Sequence, residues 1–143
     1  MATVFTKIIN GEIPGRFVWQ DDVVVAFMDV SPQTDGHVLV VPRAEIDQWT
    51  DLPADVAAHT FRVAYLIGQV LPAEFNAVRA CVAIEGFAVP HTHVHVFPAN
   101  ESADFEIVNK HGSTDPADLD DAARRIRQAL RAAGHGECVP DID

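Results

Sequence analysis

The sequence predicts an α+β domain: an antiparallel sheet of about five strands with two main helices packed on it. Three observations point there. Five short apolar runs occur, and the first three follow one another through tight links, which favours antiparallel neighbours. Two longer segments carry apolar residues at helical spacing. The chain has 143 residues, 48% of them hydrophobic and 22% charged. That is the size and balance of one domain able to bury its own core.

Residues 1–15 place Val4, Phe5, Ile8 and Ile9 at the spacing of one or two helical turns, punctuated by Asn10-Gly11 and Pro14-Gly15. Phe17–Gln20 and Val23–Val30 read as strands flanking Asp21-Asp22, a hairpin. Ser31-Pro32 opens a loop that Gly36 ends, and His37–Val41 is a third strand stopped by Pro42. Asp51-Leu52-Pro53 starts a helix running to about Leu71. Val56, Thr60, Val63, Ile67 and Val70 mark its buried face, and Pro72 is expected to stop it. Val78–Ile84 and His91–Pro98 are the last two strands. The second helix covers about Pro116–Ala133, with Asp115 as N-cap and Pro116 at its first position. Its aspartates come early and its arginines late, the order that the helix dipole favours. Leu119, Ile126, Ala129 and Leu130 form its apolar stripe, and Gly134 ends it. The expected division is a domain over 1–134 and a mobile tail over 135–143.

The bulk properties narrow the function. The formal charge is −11, which opposes binding to a nucleic-acid backbone. No run reaches the ~18–20 apolar residues of a membrane helix. No basic-then-apolar leader opens the chain, so the expected location is cytoplasmic, away from membranes and nucleic acid. Cys81 and Cys138 form no disulfide framework, and neither stands at metal-ligand spacing.

The informative stretch is His91-Thr92-His93-Val94-His95-Val96-Phe97. Strand side chains alternate, so His91, His93 and His95 are expected on one face and Thr92, Val94 and Val96 on the other. The apolar face explains the strand but not three imidazoles opposite it. One reading is a polar surface strand, although histidine is not a favoured strand residue. A second is a metal site. At ~3.3 Å per residue the outer two histidines lie about 13 Å apart, whereas each ligand nitrogen must come within ~2.1 Å of one ion. Two of them with a distant fourth group would be easier, and nothing in the sequence clearly offers that group. A third reading is nucleophilic catalysis at phosphorus, with an imidazole attacking and its neighbours donating to phosphoryl oxygens.

These residues resemble the His-φ-His-φ-His-φ-φ signature of the histidine-triad (HIT) family of nucleotide hydrolases and transferases, in its Hint-like branch. Thr92 departs mildly at the first φ. The resemblance extends to residues 5–14, to Phe27-Met28-Asp29-Val30-Ser31-Pro32 and to Gly36-His37-Val38-Leu39-Val40-Val41-Pro42-Arg43, together roughly residues 3–98. It implies a HIT-like fold and a nucleotide hydrolase or nucleotidyl transferase. The implied substrates are nucleoside phosphoramidates or related compounds, cleaved through a phospho-His intermediate without a cofactor. It also implies a homodimer that binds a small molecule containing a nucleoside monophosphate. His93 would be the nucleophile, His91 and His95 would orient it and contact the phosphate, and His37 would support the triad. Asp29 would bind the ribose hydroxyls. Phe5, Ile8, Ile13, Phe27 and Leu39 would hold the base.

The departures bear on substrate and turnover. Many relatives carry a Cys-x-x-Cys and a later His as a structural zinc site. Thr3, Thr6 and Glu45 stand at those positions, so no such zinc is expected. In the link before the triad, Ile84 and Ala88 replace usually polar residues, leaving backbone N–H groups of Phe87, Ala88 and Val89 to contact phosphate. Glu85 adds a negative charge there. A nucleotide-binding module with little turnover and a dinucleoside polyphosphate hydrolase of the same family are the alternatives.

Overall fold

Valine-rich runs build the sheet. β1 (Phe17–Gln20), β2 (Val24–Met28) and β3 (Val38–Pro42) are successive antiparallel neighbours. β4 (Arg79–Ala83) and β5 (Val94–Ala99) complete an antiparallel sheet of order β1-β2-β3-β5-β4. The computed structural model describes residues 1–143.

β2 and β3 are buried at every position because both faces of the sheet are covered. One face presents Val24, Ala26, Met28, Val38, Val40, Val94 and Val96 to α2 (Ala54–Glu74) and α3 (Pro116–Ala132). The other presents Val25, Phe27, Leu39 and Val41 to Phe5 of the short α1 (Val4–Ile9). The expected α+β class, strand count and two main helices are all present. α2 buries Thr60, Val63, Ala64, Ile67 and Leu71, whereas Val56 and Val70 lie at the margin of that face. No helix is long and apolar enough to cross a membrane.

Three local expectations are corrected. Pro72 does not stop α2; it sits inside the last turn, and the Phe75 N–H still reaches the Leu71 carbonyl at 3.0 Å. A proline this near the end removes one N–H donor without preventing the turn from closing. The tail 135–143 is not free. Asp143 accepts from Arg127 Nη2 at 2.7 Å and from Arg131 Nη1 at 2.9 Å, and Val139 joins the main core. Arg127 is itself buried and also donates to the Phe17 carbonyl, so the tail carboxylate neutralises a charge that burial would otherwise penalise.

The third correction concerns the histidine strand, which begins at Val94 rather than His91. β3 pairs with β5 only from Val40↔Val94 to Val38↔Val96, and β4 pairs no further toward the histidines than Ala83↔His95. Beyond Val94 neither neighbour offers a ladder. The chain ties itself instead to the 46–47 turn: the Thr92 N–H and hydroxyl each donate to the Ile46 carbonyl at 2.8 Å.

Candidate functional site

The sheet face under α1 carries a cleft of about 370 Å³. His93 and His95 line it, with Phe5, Ile8, Phe27 and Leu39 as an apolar slot and Asp29 at one side. Ala88 and Val89 form part of the rim. The Phe5 ring stands edge-on to His93 with centroids 4.8 Å apart, and His93 stands edge-on to His95 at 5.0 Å. His37 lies behind His95, in an adjoining smaller cavity lined also by Asp29 and Lys110.

Of the expected slot residues, Ile13 falls outside the cleft. Ile13 is half-buried elsewhere, because α1 ends at Ile9 and the following turn carries it past the opening. The Phe87 side chain is 91% exposed and faces a separate depression beside Trp49 and Thr92. His91 does not reach the cleft either: it is fully buried, edge-on to Phe5 at 5.9 Å.

Backbone hydrogen bonds fix what each imidazole offers, since a backbone N–H only donates and a carbonyl only accepts. His93 Nδ1–H donates to the His91 carbonyl at 2.7 Å, which leaves Nε2 as an unshared lone pair. The Gln33 N–H donates to His37 Nδ1 at 2.8 Å, which puts the His37 proton on Nε2. That Nε2–H donates to His95 Nδ1 at 2.9 Å, and His95 therefore carries its own proton on Nε2. The result is a relay, Gln33 to His37 to His95, that ends in a donor beside the lone pair of His93. Burial pushes both supporting rings toward the neutral form, aided by neighbouring positive groups: His37 down to about 3 and His95 down to about 4.

His91 is held by a second network. Its Nε2–H donates to the Pro42 carbonyl at 2.7 Å, and its Nδ1 accepts from the Thr3 hydroxyl at 2.8 Å. Thr3 Oγ1 in turn caps α1 by accepting from the Thr6 N–H at 3.1 Å. Glu45 Oε1 accepts from the Thr3 N–H and from the Thr6 hydroxyl, each at 2.7 Å. Burial lowers the His91 pKa.

Asp29 accepts from the Ser31 N–H at 2.9 Å and lies 3.7 Å from His37 Nε2. Burial raises its pKa, against the pull of the Ser31 N–H and of Lys110. Asp29, His37 and His95 each bring one potential ligand atom within 4.8 Å of the others. The tautomers argue against a metal there. His37 Nε2 holds a proton because Nδ1 already accepts, so the atom nearest the would-be ion is a donor.

A model of the HIT domain matches residues 10–102 of the sequence. The chain belongs to the HIT family. It is 34% identical over 128 residues to an uncharacterized HIT-like protein of Methanocaldococcus jannaschii, covering 87% of this chain and 98% of that protein. It is 32% identical over 100 residues to the purine nucleoside phosphoramidase of Escherichia coli strain K12, covering 66% and 84%. Among solved structures, a zinc-bound histidine triad family protein from Mycobacterium smegmatis superimposes with a TM-score of 0.80 at 25% identity, covering 95% of this chain and 98% of that one.

In this HIT chain the Thr3, Thr6, Glu45 and His91 cluster does not fit zinc. Two of its four groups are neutral hydroxyls, which are poor zinc ligands beside thiolate and imidazole, and all four are already engaged with one another. Lys110 and Gln33 were not legible as site residues. Gln33 acts through its backbone, and Lys110 arrives from a loop that shares no pattern with the triad.

Proposed function

We propose that this chain is a nucleotide hydrolase of the phosphoramidase type, cleaving nucleoside phosphoramidates or related nucleotidyl compounds through His93. The observation that carries the reading is the orientation of one ring. With Nδ1–H on the His91 carbonyl, the Nε2 lone pair of His93 is free in a cleft with an apolar slot and a carboxylate. The family's phosphoramidase relative supports the substrate class.

In the proposed sequence, His93 Nε2 attacks phosphorus and the bond to the leaving amine breaks, the amine taking its proton from solvent. The imidazolium so formed is stabilised through its Nδ1–H by the His91 carbonyl. The His95 Nε2–H donates to a phosphoryl oxygen, and neutral His37 holds it in that tautomer. Water then attacks phosphorus and gives up a proton to solvent, the bond to Nε2 breaks, and the nucleoside monophosphate leaves. The base lies between Phe5, Ile8, Phe27 and Leu39, and Asp29 accepts from the ribose hydroxyls. His91, in this scheme, positions His93 rather than touching phosphate.

The test is the His93→Ala variant, assayed for turnover of a nucleoside phosphoramidate and, by calorimetry, for nucleoside monophosphate binding. Turnover falls by roughly 10⁴-fold or more while binding persists. Full activity in the variant contradicts the reading. Binding without turnover in the unmodified protein identifies a nucleotide-binding module instead.

We further propose a homodimer through the outer edge of β4. That edge has no partner strand, and Val82 on it and Val78 just before it are exposed, as are Phe61 and Tyr65 on the adjacent α2. Val82→Lys is expected to give a monomer by sedimentation, and an unchanged mass would refute this edge. The two free cysteines fit a reducing compartment, in keeping with a cytoplasmic location.

A further inference from the structure

The cleft holds two carboxylates, Asp29 and Glu85, in a protein of net charge −11. A phosphorylated ligand brings more negative charge to the same place, and a low-dielectric wall magnifies the repulsion. Only two of the ten basic residues line the cleft. Arg16 is already engaged, its Nε donating to Asp120 at 2.6 Å. Lys110 is not paired with a carboxylate; its ammonium reaches only the Ser31 hydroxyl, at 3.3 Å. It lines both the cleft, with His93 and His95, and the adjoining cavity, with His37 and Asp29.

The loop that carries Lys110 is held in place on both sides of it, while the lysine itself is exposed. The His111 N–H donates to the Gln33 carbonyl at 2.8 Å, and the Gln33 side chain donates to the Glu106 carbonyl. The Ser113 N–H donates to Asp35 Oδ1 at 2.8 Å. At Gly112 a Cβ would lie 2.6 Å from the Pro32 ring, so glycine allows the loop to press against the 31–35 turn. That is the turn whose Gln33 N–H sets the His37 tautomer. The lysine and the relay therefore share one scaffold, although Lys110 lies beyond the stretch matched by the family model.

We propose that Lys110 is the cation that binds the phosphoryl group at His93, offsetting Asp29 and Glu85 and giving the site its preference for nucleotide over nucleoside. The inference rests on the nucleotide reading above. Lys110 donates to a non-bridging phosphoryl oxygen in both the ground and the transition state, and it exchanges no proton with the substrate. Its present contact, the Ser31 hydroxyl, is weak enough to give up.

The experiment compares wild type, Lys110→Gln and Lys110→Arg. Calorimetry measures affinity for a nucleoside monophosphate and for the matching nucleoside, and initial rates give kcat and KM with a phosphoramidate. Wild type binds the monophosphate more tightly. In Lys110→Gln that preference shrinks about tenfold to hundredfold while nucleoside affinity and melting temperature hold, and KM rises. Lys110→Arg recovers most of the loss. An unchanged monophosphate-to-nucleoside ratio in Lys110→Gln overturns the role of Lys110 while leaving the nucleotide reading intact. Failure of wild type to bind either compound overturns both.

Discussion

His91 and His95 flank His93 symmetrically in sequence, yet the structure treats them as opposites. His91 is sealed between the Pro42 carbonyl and the Thr3 hydroxyl, with Glu45 closing the network behind it. His95 faces the cleft, and its tautomer is set from a distance by His37 and the Gln33 N–H. The first end anchors α1 and, through the His91 carbonyl, orients His93. The second end presents a donor. Identical residues at identical spacing acquire different work because β3 ends at Pro42, whose carbonyl is free to take the His91 imidazole where the ladder stops.

The comparison breaks most visibly at the relay. His37→Phe removes the ring that fixes His95 while keeping a buried aromatic beside Phe97. Turnover is expected to fall about 10²-fold, with most of the loss in kcat. A loss below threefold would mean that the His95 proton needs no relay.

The opposite end should respond in stability instead. Thr3→Val removes both the α1 cap and the partner of the buried His91 Nδ1. The expected cost is about 1–3 kcal/mol, read as a fall of several degrees in the melting temperature, with kcat within a few-fold of wild type. A large kcat loss at unchanged stability would reverse the assignment of the two ends.

Asp29 sharpens the same map. Asp29→Ala is expected to erase any preference for ribonucleotide over deoxyribonucleotide, an effect of about tenfold. Equal binding of the two by the unmodified protein would remove Asp29 from ribose recognition.

Protonation acts on stability rather than on turnover. His37 and His95 stay neutral in the folded chain, with pKa values of about 3 and about 4, because burial penalises the charged rings. The unfolded chain titrates them near pH 6.5. Below that pH the unfolded state binds more protons, so stability is full above about pH 7 and declines as pH falls from 6.5 toward 4. Asp143, held at about 2 by its hydrogen bonds from Arg127, loses its contribution only below about pH 4. Thermal melts between pH 7 and pH 4.5 should therefore show a slope that His37→Phe reduces. A slope unchanged in the variant would contradict a neutral buried His37.

Much of this was legible in the chain itself. Alternation placed His93 and His95 on one face, and the apolar runs at 23–30 and 37–41 signalled the strands β2 and β3, although not that both of their faces are covered. The spacing in 116–133 gave α3 its cap, stripe and stop. Asp29, the apolar slot and His37 came from the resemblance, since a lone carboxylate or phenylalanine carries no pattern. What escaped depended on long-range closure. Period-two reasoning cannot see where a ladder loses its partner, and the resemblance that implies a phosphate contact for His91 does not reveal that its ring is sealed away from the cleft. Ile13 lies past the opening because one residue type does not fix the direction of the turn after α1. Gln33 and Lys110 work through contacts 73–79 residues apart in sequence, between the 31–35 turn and the 106–113 loop.

Whether His93 forms a bond to phosphorus is read from the stereochemistry of turnover on a nucleoside phosphoramidate made chiral at phosphorus with sulfur and hydrolysed in oxygen-labelled water. Two displacements, the first by His93 and the second by water, predict net retention at phosphorus. Net inversion would show that water attacks directly and that His93 never carries the nucleotidyl group.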